Sequence, residues 1–107
     1  MNVENILHFL YDLKENNNKD WFHSQKERFE TLRDTFLDFT TELIAEISEF
    51  DENIRGIQAK DCFYRMHRDI RFSKDKTPYK THFGAYICKG GRKSELAGYY
   101  IHIEPNN

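Results

Sequence analysis

The sequence predicts an α+β fold, in which two N-terminal helices, the second of them long, pack on a mostly antiparallel sheet. Apolar residues recur at three- and four-residue spacing through the first half of the chain, as on one face of a helix. Apolar and polar residues alternate in short stretches of the second half, as in strands with one buried face. The chain has 107 residues, of which 38% are hydrophobic and 32% charged, enough for one small domain with a single core. We therefore expect residues 1–107 to form a single domain.

The first helix is predicted from Asn2 to Lys14. Asn2 is a suitable N-cap, because its side-chain oxygen can accept a hydrogen bond from the first helical turn. Glu15 and the three asparagines after it include no apolar residue, so the helix should end there and leave Asn18 to cap the next one. The apolar residues at helical spacing are Ile6, Phe9, Leu10 and Leu13.

A second, longer helix is predicted from about Lys19 to about Ser48. Its apolar residues form one stripe, and we interpret this stripe as the core face of a scaffold helix rather than as a cofactor or partner site. The segment from Asp51 to Gly56 ends the helix, since glycine adopts positive φ without strain. The stripe consists of Phe22, Phe29, Leu32, Phe36, Phe39, Leu43, Ile47 and Phe50.

Three strands are predicted in the second half of the chain. Alternation of side-chain character places them at Cys62 to Arg68, at His82 to Ile87 and at Tyr99 to Glu104. The glycine-containing segment from Lys89 to Gly98 is predicted to be a long hairpin loop with a basic tip. No internal repeat or low-complexity tract interrupts this organisation.

Charge divides the chain more sharply than its net value of −2 suggests. Residues 1–59 contain 13 acidic and 6 basic side chains, a net charge of −7, whereas residues 60–107 contain 5 acidic and 10 basic ones, a net charge of +5. A locally positive surface attracts anions even on a weakly acidic protein. A binding site is therefore expected in the second half.

The sequence indicates a cytoplasmic protein that does not associate with membranes. No apolar run approaches the roughly 20 residues of a membrane span, and the N-terminus lacks the basic and apolar parts of a signal peptide. Cys62 and Cys88 have no Cys-x-x-Cys spacing, which favours two reduced, structural thiols.

The most distinctive stretch runs from Cys62 to Lys80, where seven basic or imidazole side chains and two acidic ones are crowded together. Arginine recurs at every third position, and its forked guanidinium matches the oxygens of phosphates and carboxylates. The alternative is a surface lattice of salt bridges, in which Asp69 and Asp75 neutralise the cations. If the stretch is a site, the ligand-binding residues are expected to be Arg65, Arg68, Arg71, Lys76, Tyr79 and Lys80.

The segment from Arg65 to Lys80 resembles the motif R-x-x-R-D-x-R-F-S-K-D-K-x-P-Y-K of domain of unknown function 2461, an uncharacterised bacterial family. The likeness covers essentially the whole chain, from the asparagine run that begins at Asn16 to the Gly-Tyr-Tyr-Ile-His-Ile-Glu-Pro segment that ends at Pro105. Family members are about twice as long, which implies that this chain is an N-terminal half with an incomplete sheet. An open sheet edge would favour homo-oligomers or marginal stability of the isolated chain. The resemblance also favours a site over a salt-bridge lattice, but it implies no reaction.

Two functions follow as hypotheses. The first is binding of an anionic small molecule or phosphate ester, with Asp69 and Tyr79 as candidates for acid–base catalysis. The second is a non-enzymatic module that binds nucleic acid or a protein through the same basic surface, since five tyrosines lie among the ten basic residues. Dedicated nucleic-acid modules typically have a pI above about 9, whereas the pI of this chain is near 6.2. We therefore rank this second hypothesis below the first.

Metal and nucleophilic sites have little support in the sequence. The five histidines show no helical pair and no zinc-type spacing with cysteine, so no metal site is predicted. No nucleophile elbow, P-loop or dinucleotide-binding motif is present, and the sequence indicates no particular cofactor. Four side chains could still converge across neighbouring strands: His67, His82, His102 and Glu104.

Overall fold

The computed structural model describes residues 1–91 and 96–106, and within them it confirms the α+β class. Three helices come first: α1 spans Val3–Glu15, α2 spans Lys19–Ser24 and α3 spans Lys26–Ile47. Two single 3-10 turns follow, and then two strands, β1 at Phe83–Ile87 and β2 at Tyr99–Ile103. No helix of the described part is both long and apolar enough to cross a membrane.

Helix α1 forms as its sequence predicts. The side chain of Asn2 accepts a hydrogen bond from the amide of Asn5 at 3.3 Å, and Asn18 caps α2 in the same way through the amide of Trp21 at 2.8 Å. Each cap satisfies a backbone donor that has no partner within the helix. All four apolar residues predicted for the core face are fully buried: Ile6, Phe9, Leu10 and Leu13.

The single long helix predicted from Lys19 to Ser48 is interrupted at Gln25. The Gln25 amide is shared between the carbonyls of Trp21 and Phe22, both at 3.1 Å, while the hydroxyl of Ser24 also donates to Trp21. Hydroxyl side chains that bond back to the preceding turn bend helices. The apolar stripe continues across this break, but its C-terminal part is wrong. Thr40 and Ile44 are buried there, whereas the predicted Phe39 and Leu43 are only half-buried, and Phe50 lies beyond the end of α3 and is 74% exposed.

Strands β1 and β2 form an antiparallel pair in which Phe83 lies opposite Ile103 and Gly84 lies opposite His102. The predicted third strand from Cys62 to Arg68 makes only isolated bridges, Phe63 to Ala85 and His67 to Tyr79. The segment bonds first to β1 and then, within a few residues, to Pro78 and Lys80, so it changes partner before a ladder can extend. The sheet therefore has two strands in the described residues, not three.

The two edges of this sheet differ. The inner strand β1 is covered on one side by β2 and on the other by the amide of Tyr64, which donates to Gly84 at 2.9 Å. Among residues 1–91 and 96–106, no backbone hydrogen bond reaches the outer edge of β2. Self-association through that edge stays a prediction, which light scattering can check. The predicted hairpin loop from Lys89 to Gly98 lies partly outside the described residues.

The core joins the helices to the start of β1. The ring of Phe83 lies 6.4 Å from that of Phe9 on α1, and 6.0 and 5.6 Å from those of Phe29 and Phe36 on α3. Aromatic rings at these separations pack with favourable edge contacts. Phe83 is fully buried, so it fixes the position of the backbone at the start of β1, including the residues directly before it. Cys62 and Cys88 are both buried thiols, as predicted.

Candidate functional site

The charged motif separates into two parts, of which the first is an exposed turn. Residues 69–76, which we call the tip, begin with Asp69, whose carboxylate accepts two hydrogen bonds from the Arg71 guanidinium at 2.9 and 3.1 Å. These bonds hold the pKa of Asp69 below its usual value and raise that of Arg71. The Arg71 guanidinium also lies 5.7 Å from the ring of Phe72, which is 94% exposed. Phe72 therefore does not bury the arginines beside it.

Lys76 and Arg65 are exposed as well. The ammonium group of Lys76 donates to the carbonyl oxygen of Ile70 at 2.7 Å, which closes the tip on itself. Arg65 is exposed, and its charge contributes to the lowered pKa of Asp69. The tip therefore has the contacts expected of the salt-bridge alternative, with cations that bind their own turn.

Arg68 has a different environment from Arg71. Its Nη1 atom donates to the carbonyl and hydroxyl oxygens of Thr77 at 2.9 and 2.8 Å, and it lies 3.3 Å from a carboxylate oxygen of Asp75. Asp75 in turn accepts from the amide and the hydroxyl of Thr77, and these bonds lower the pKa of Asp75. Nη2 makes a longer contact, 3.5 Å, with the hydroxyl of Ser73. Arg68 thus holds the end of the turn and keeps donor capacity at Nη2.

Tyr79 is held in place by both its ring and its backbone. The ring is only 5% exposed and stacks on Phe22 with centroids 4.1 Å apart. The side chain of Asn17 donates to the Tyr79 carbonyl at 2.9 Å and accepts from the Tyr79 amide at 3.1 Å. Burial raises the pKa of the Tyr79 phenol, so the hydroxyl stays protonated at neutral pH and can act as a hydrogen-bond donor.

Arg68, Tyr79 and Lys80 meet at a cleft of about 430 Å³, which we call the basic cleft. It brings together three of the six predicted ligand-binding residues and leaves Arg65, Arg71 and Lys76 outside. Three cationic side chains line it together with one carboxylate, that of Asp75. The lining residues are Lys14, Asn17, Arg68, Asp75, Thr77, Tyr79, Lys80, Thr81 and His82.

Six of these nine residues were not predicted as ligand contacts, and Lys14, Asn17 and His82 show why. Lys14 lies in the last turn of α1. A cation is favourable there because of the helix dipole, so its presence in the sequence does not indicate a site. Asn17 is one of three adjacent asparagines, and nothing in the sequence distinguishes it from its neighbours. His82 is the first residue of a predicted strand, and only the orientation of that strand shows that it lines the cleft.

A second cluster adjoins the basic cleft through His82. The rings of His82 and His102 stack with centroids 4.5 Å apart, and Nε2 of His102 lies 2.8 Å from a carboxylate oxygen of Glu104. Burial and the charge of His102 lower the pKa of His82, whereas the bond with His102 lowers the pKa of Glu104. His67 packs instead against Tyr79, with ring centroids 5.2 Å apart. Three of the four side chains that could converge across the strands therefore do so.

Comparison with family models gives one match, described as "Conserved hypothetical protein (DUF2461)", over residues 5–107. Neither the comparison with curated proteins nor the comparison with solved structures gives a significant match. The match covers almost the whole chain, including both parts of the charged motif and the histidine cluster. The chain therefore belongs to the DUF2461 family of conserved hypothetical proteins.

Proposed function

We propose that the basic cleft binds a small anionic ligand that carries a phosphate or carboxylate group. The observation that carries this proposal is the meeting of Lys14, Arg68 and Lys80, which come from separate parts of the chain, at one hollow. A volume of about 430 Å³ falls within the range of roughly 300–1,000 Å³ found for small-molecule sites. Two positive charges remain in the cleft after Asp75 is set against the three cations.

Each lining side chain has a distinct role in this proposal. Arg68 supplies a planar guanidinium whose position is fixed by Thr77, whereas Lys14 and Lys80 supply point charges on flexible stems. Tyr79 also lines the cleft, and Asn17 holds its backbone in place through two hydrogen bonds.

Binding has more support than catalysis in this geometry. Asp69, one of the two candidate catalytic residues, lies on the exposed tip and is paired with Arg71. Tyr79 does line the cleft, but burial raises the pKa of its phenol further from neutral pH, which opposes a role as general base and makes it a weak general acid.

The test is calorimetric titration of the chain with inorganic phosphate and with a mononucleotide. We expect Lys80→Ala and Lys14→Ala each to weaken binding by about tenfold, the effect of losing one charge-assisted contact. Arg68→Lys keeps the charge but loses the fork, and should weaken binding to a similar extent. Arg71→Ala is the matched control, because it removes a cation of the same motif outside the cleft. Equal losses in Arg71→Ala and Lys80→Ala would contradict the proposal.

Nucleic-acid binding is the second candidate, and one contact favours it. The ammonium group of Lys80 lies 5.6 Å from the ring centre of Tyr64, which in turn packs against Tyr100, a ring that is 54% exposed. Exposed aromatic rings beside cations can stack bases. In that case the affinity for oligonucleotides would rise with their length and fall steeply with salt, while mononucleotides would bind poorly.

A further inference from the structure

We propose that His82, His102 and Glu104 form a binding site for a divalent transition metal, with zinc as the best candidate. One potential donor atom from each of these residues lies within 4.8 Å of the other two. Two imidazole nitrogens and one carboxylate oxygen are a donor set that zinc accepts, with a fourth position left for water or a ligand. The same set also suits other first-row metals such as cobalt.

The strand register explains why His82 meets His102 and Glu104, which lie 20 and 22 positions later in the chain. His102 lies opposite Gly84, so continuing the same antiparallel register places Glu104 opposite His82. Side chains two residues apart in a strand point to the same face of the sheet. The three side chains therefore share one face at the end where β1 begins and β2 ends.

Gly84 leaves room for the cluster on this face. A Cβ atom at position 84 would come within 3.0 Å of the Tyr100 hydroxyl and 3.5 Å of Cδ2 of His82. Because glycine has no side chain, the imidazoles of His82 and His102 can stack where a larger residue would crowd Tyr100 and His82. The space at Gly84 is thus part of the proposed site.

His102 is already oriented by a neighbour, as metal-binding histidines usually are. Its Nδ1 atom lies 3.1 Å from the Tyr100 hydroxyl, and its Nε2 atom lies 2.8 Å from Glu104. When Nδ1 carries the proton and donates it to the Tyr100 hydroxyl, the lone pair of Nε2 can bind a metal. The metal then takes the place of the proton between His102 and Glu104. Tyr100 is a positioning residue in this arrangement, since it acts through His102.

The donor atoms need only a small adjustment to bind a metal. Zinc–ligand distances of 2.0–2.2 Å place tetrahedral ligand atoms about 3.3 Å apart, so the widest separation of 4.8 Å must shrink by about 1.5 Å. His102 and Glu104 are exposed, and rotation of their side chains can supply this movement. His82 also lines the basic cleft, which makes a bound metal and a bound anion neighbours. The metal proposal does not depend on anion binding.

The experiment is titration of the full chain with Zn²⁺ alone, in a buffer without phosphate, using a competing chelator dye. We expect one Zn²⁺ per chain, and a loss of affinity of at least about 100-fold in His82→Ala, His102→Ala and Glu104→Gln. Tyr100→Phe should keep the stoichiometry and lose roughly 10- to 100-fold, as is typical when a ligand loses its supporting hydrogen bond. Spectra of the Co²⁺ form should show a four-coordinate ion in the natural chain.

The matched control is His23→Ala, which removes an exposed histidine of α2 and should leave zinc affinity unchanged. Circular dichroism of each variant shows whether the fold is kept, and Tyr100→Phe retains the ring for the case in which an alanine variant unfolds. The proposal is overturned if the natural chain binds no zinc, or if His23→Ala lowers the affinity as much as His102→Ala does. It is also overturned if Tyr100→Phe and Glu104→Gln both bind zinc as tightly as the natural chain. Because the buffer contains no phosphate, a negative result would concern the metal site alone and would not bear on the anion-binding proposal.

Discussion

Two parts of one charged motif behave differently in this protein. In the tip, residues 69–76, Asp69 pairs with Arg71 and Lys76 bonds to Ile70, although Ser73 and Asp75 also accept hydrogen bonds from Arg68. The base of the motif, which consists of Arg68 and residues 77–80, has contacts that span more of the chain, since Arg68 bonds to Thr77 and Tyr79 is held by Asn17. Contacts between near neighbours can persist in the unfolded chain, whereas distant ones are lost on unfolding. The two parts of the motif therefore contribute unequally to stability and to the candidate site.

The sharpest test of this difference compares Arg68→Ala with Arg71→Ala. Arg68 is only 27% exposed in its side chain and donates two short hydrogen bonds to Thr77. Since hydrogen bonds to charged groups are worth about 1.5–3 kcal/mol, its loss should lower the free energy of unfolding by about 2 kcal/mol. Arg71→Ala should leave that free energy unchanged, because both partners of its ion pair are exposed. Urea unfolding of both variants measures the effect, and equal destabilisation would remove the distinction between tip and base.

A somewhat smaller effect is expected for Asn17→Ala. This change removes both hydrogen bonds to the Tyr79 backbone and should cost about 1–2 kcal/mol of unfolding free energy. Asn16→Ala is its control, because Asn16 bonds only four residues back, to the carbonyl of Asp12, on an exposed helix end. Thermal unfolding of the two variants should show the larger fall in Tm for Asn17→Ala. A larger fall for Asn16→Ala would show that the junction between α1 and α2 is held by its own cap and not by Tyr79.

A third, smaller effect depends on pH. Hydrogen bonds from Thr77 hold the pKa of Asp75 below its usual value of 3.8, so its ionised form stabilises the fold above that pH. This stability is lost as the pH falls through the lowered pKa. Asp75→Asn should therefore reduce Tm at pH 7, and the difference from the natural chain should disappear in strong acid. Asp69→Asn should change Tm less at every pH, although the pKa of Asp69 is also lowered, because its partner Arg71 is exposed, whereas Asp75 also lies 3.3 Å from the partly buried Arg68. A difference at Asp75 that is independent of pH would contradict this explanation.

The smallest effect is expected for Phe72→Ser. Phe72 is the most exposed large apolar side chain of the tip, and its replacement removes almost no buried area. Tm should stay within experimental error, and phosphate binding should not change. A marked loss of stability would mean that the tip packs against another surface in solution.

Much of the helical half could be predicted from the sequence because its signals are local. The spacing of Ile6, Phe9 and Leu13 and the caps at Asn2 and Asn18 depend on residues within one or two turns. The break at Gln25, where one amide is shared between two carbonyls, leaves the apolar pattern unchanged and so could not be predicted from it. The first predicted strand was wrong for a related reason, since alternation at residues 62–68 cannot show that the segment changes partner after Tyr64.

The site was predictable only where the motif itself supplies it. Arg68, Tyr79 and Lys80 lie close together in sequence and also meet at the basic cleft. Lys14 and Asn17 reach the same cleft from the helical half, through a packing arrangement that no local pattern encodes. His102 and Glu104 meet His82 only through the register of β1 with β2. Residues that join a site through tertiary contacts leave no trace in the composition or spacing of the chain.

The pair of hydrogen bonds between Asn17 and Tyr79 also has a consequence for the order of folding. The two residues are 62 positions apart, and the side-chain amide of Asn17 satisfies the backbone of Tyr79 as a neighbouring strand would. Closing so large a loop costs entropy before the contact repays it, so this link should form late, after the helices have paired. The Tyr79 amide proton therefore reports on this link. Its rate of exchange with solvent should measure how often the segment that contains Tyr79 separates from the helices.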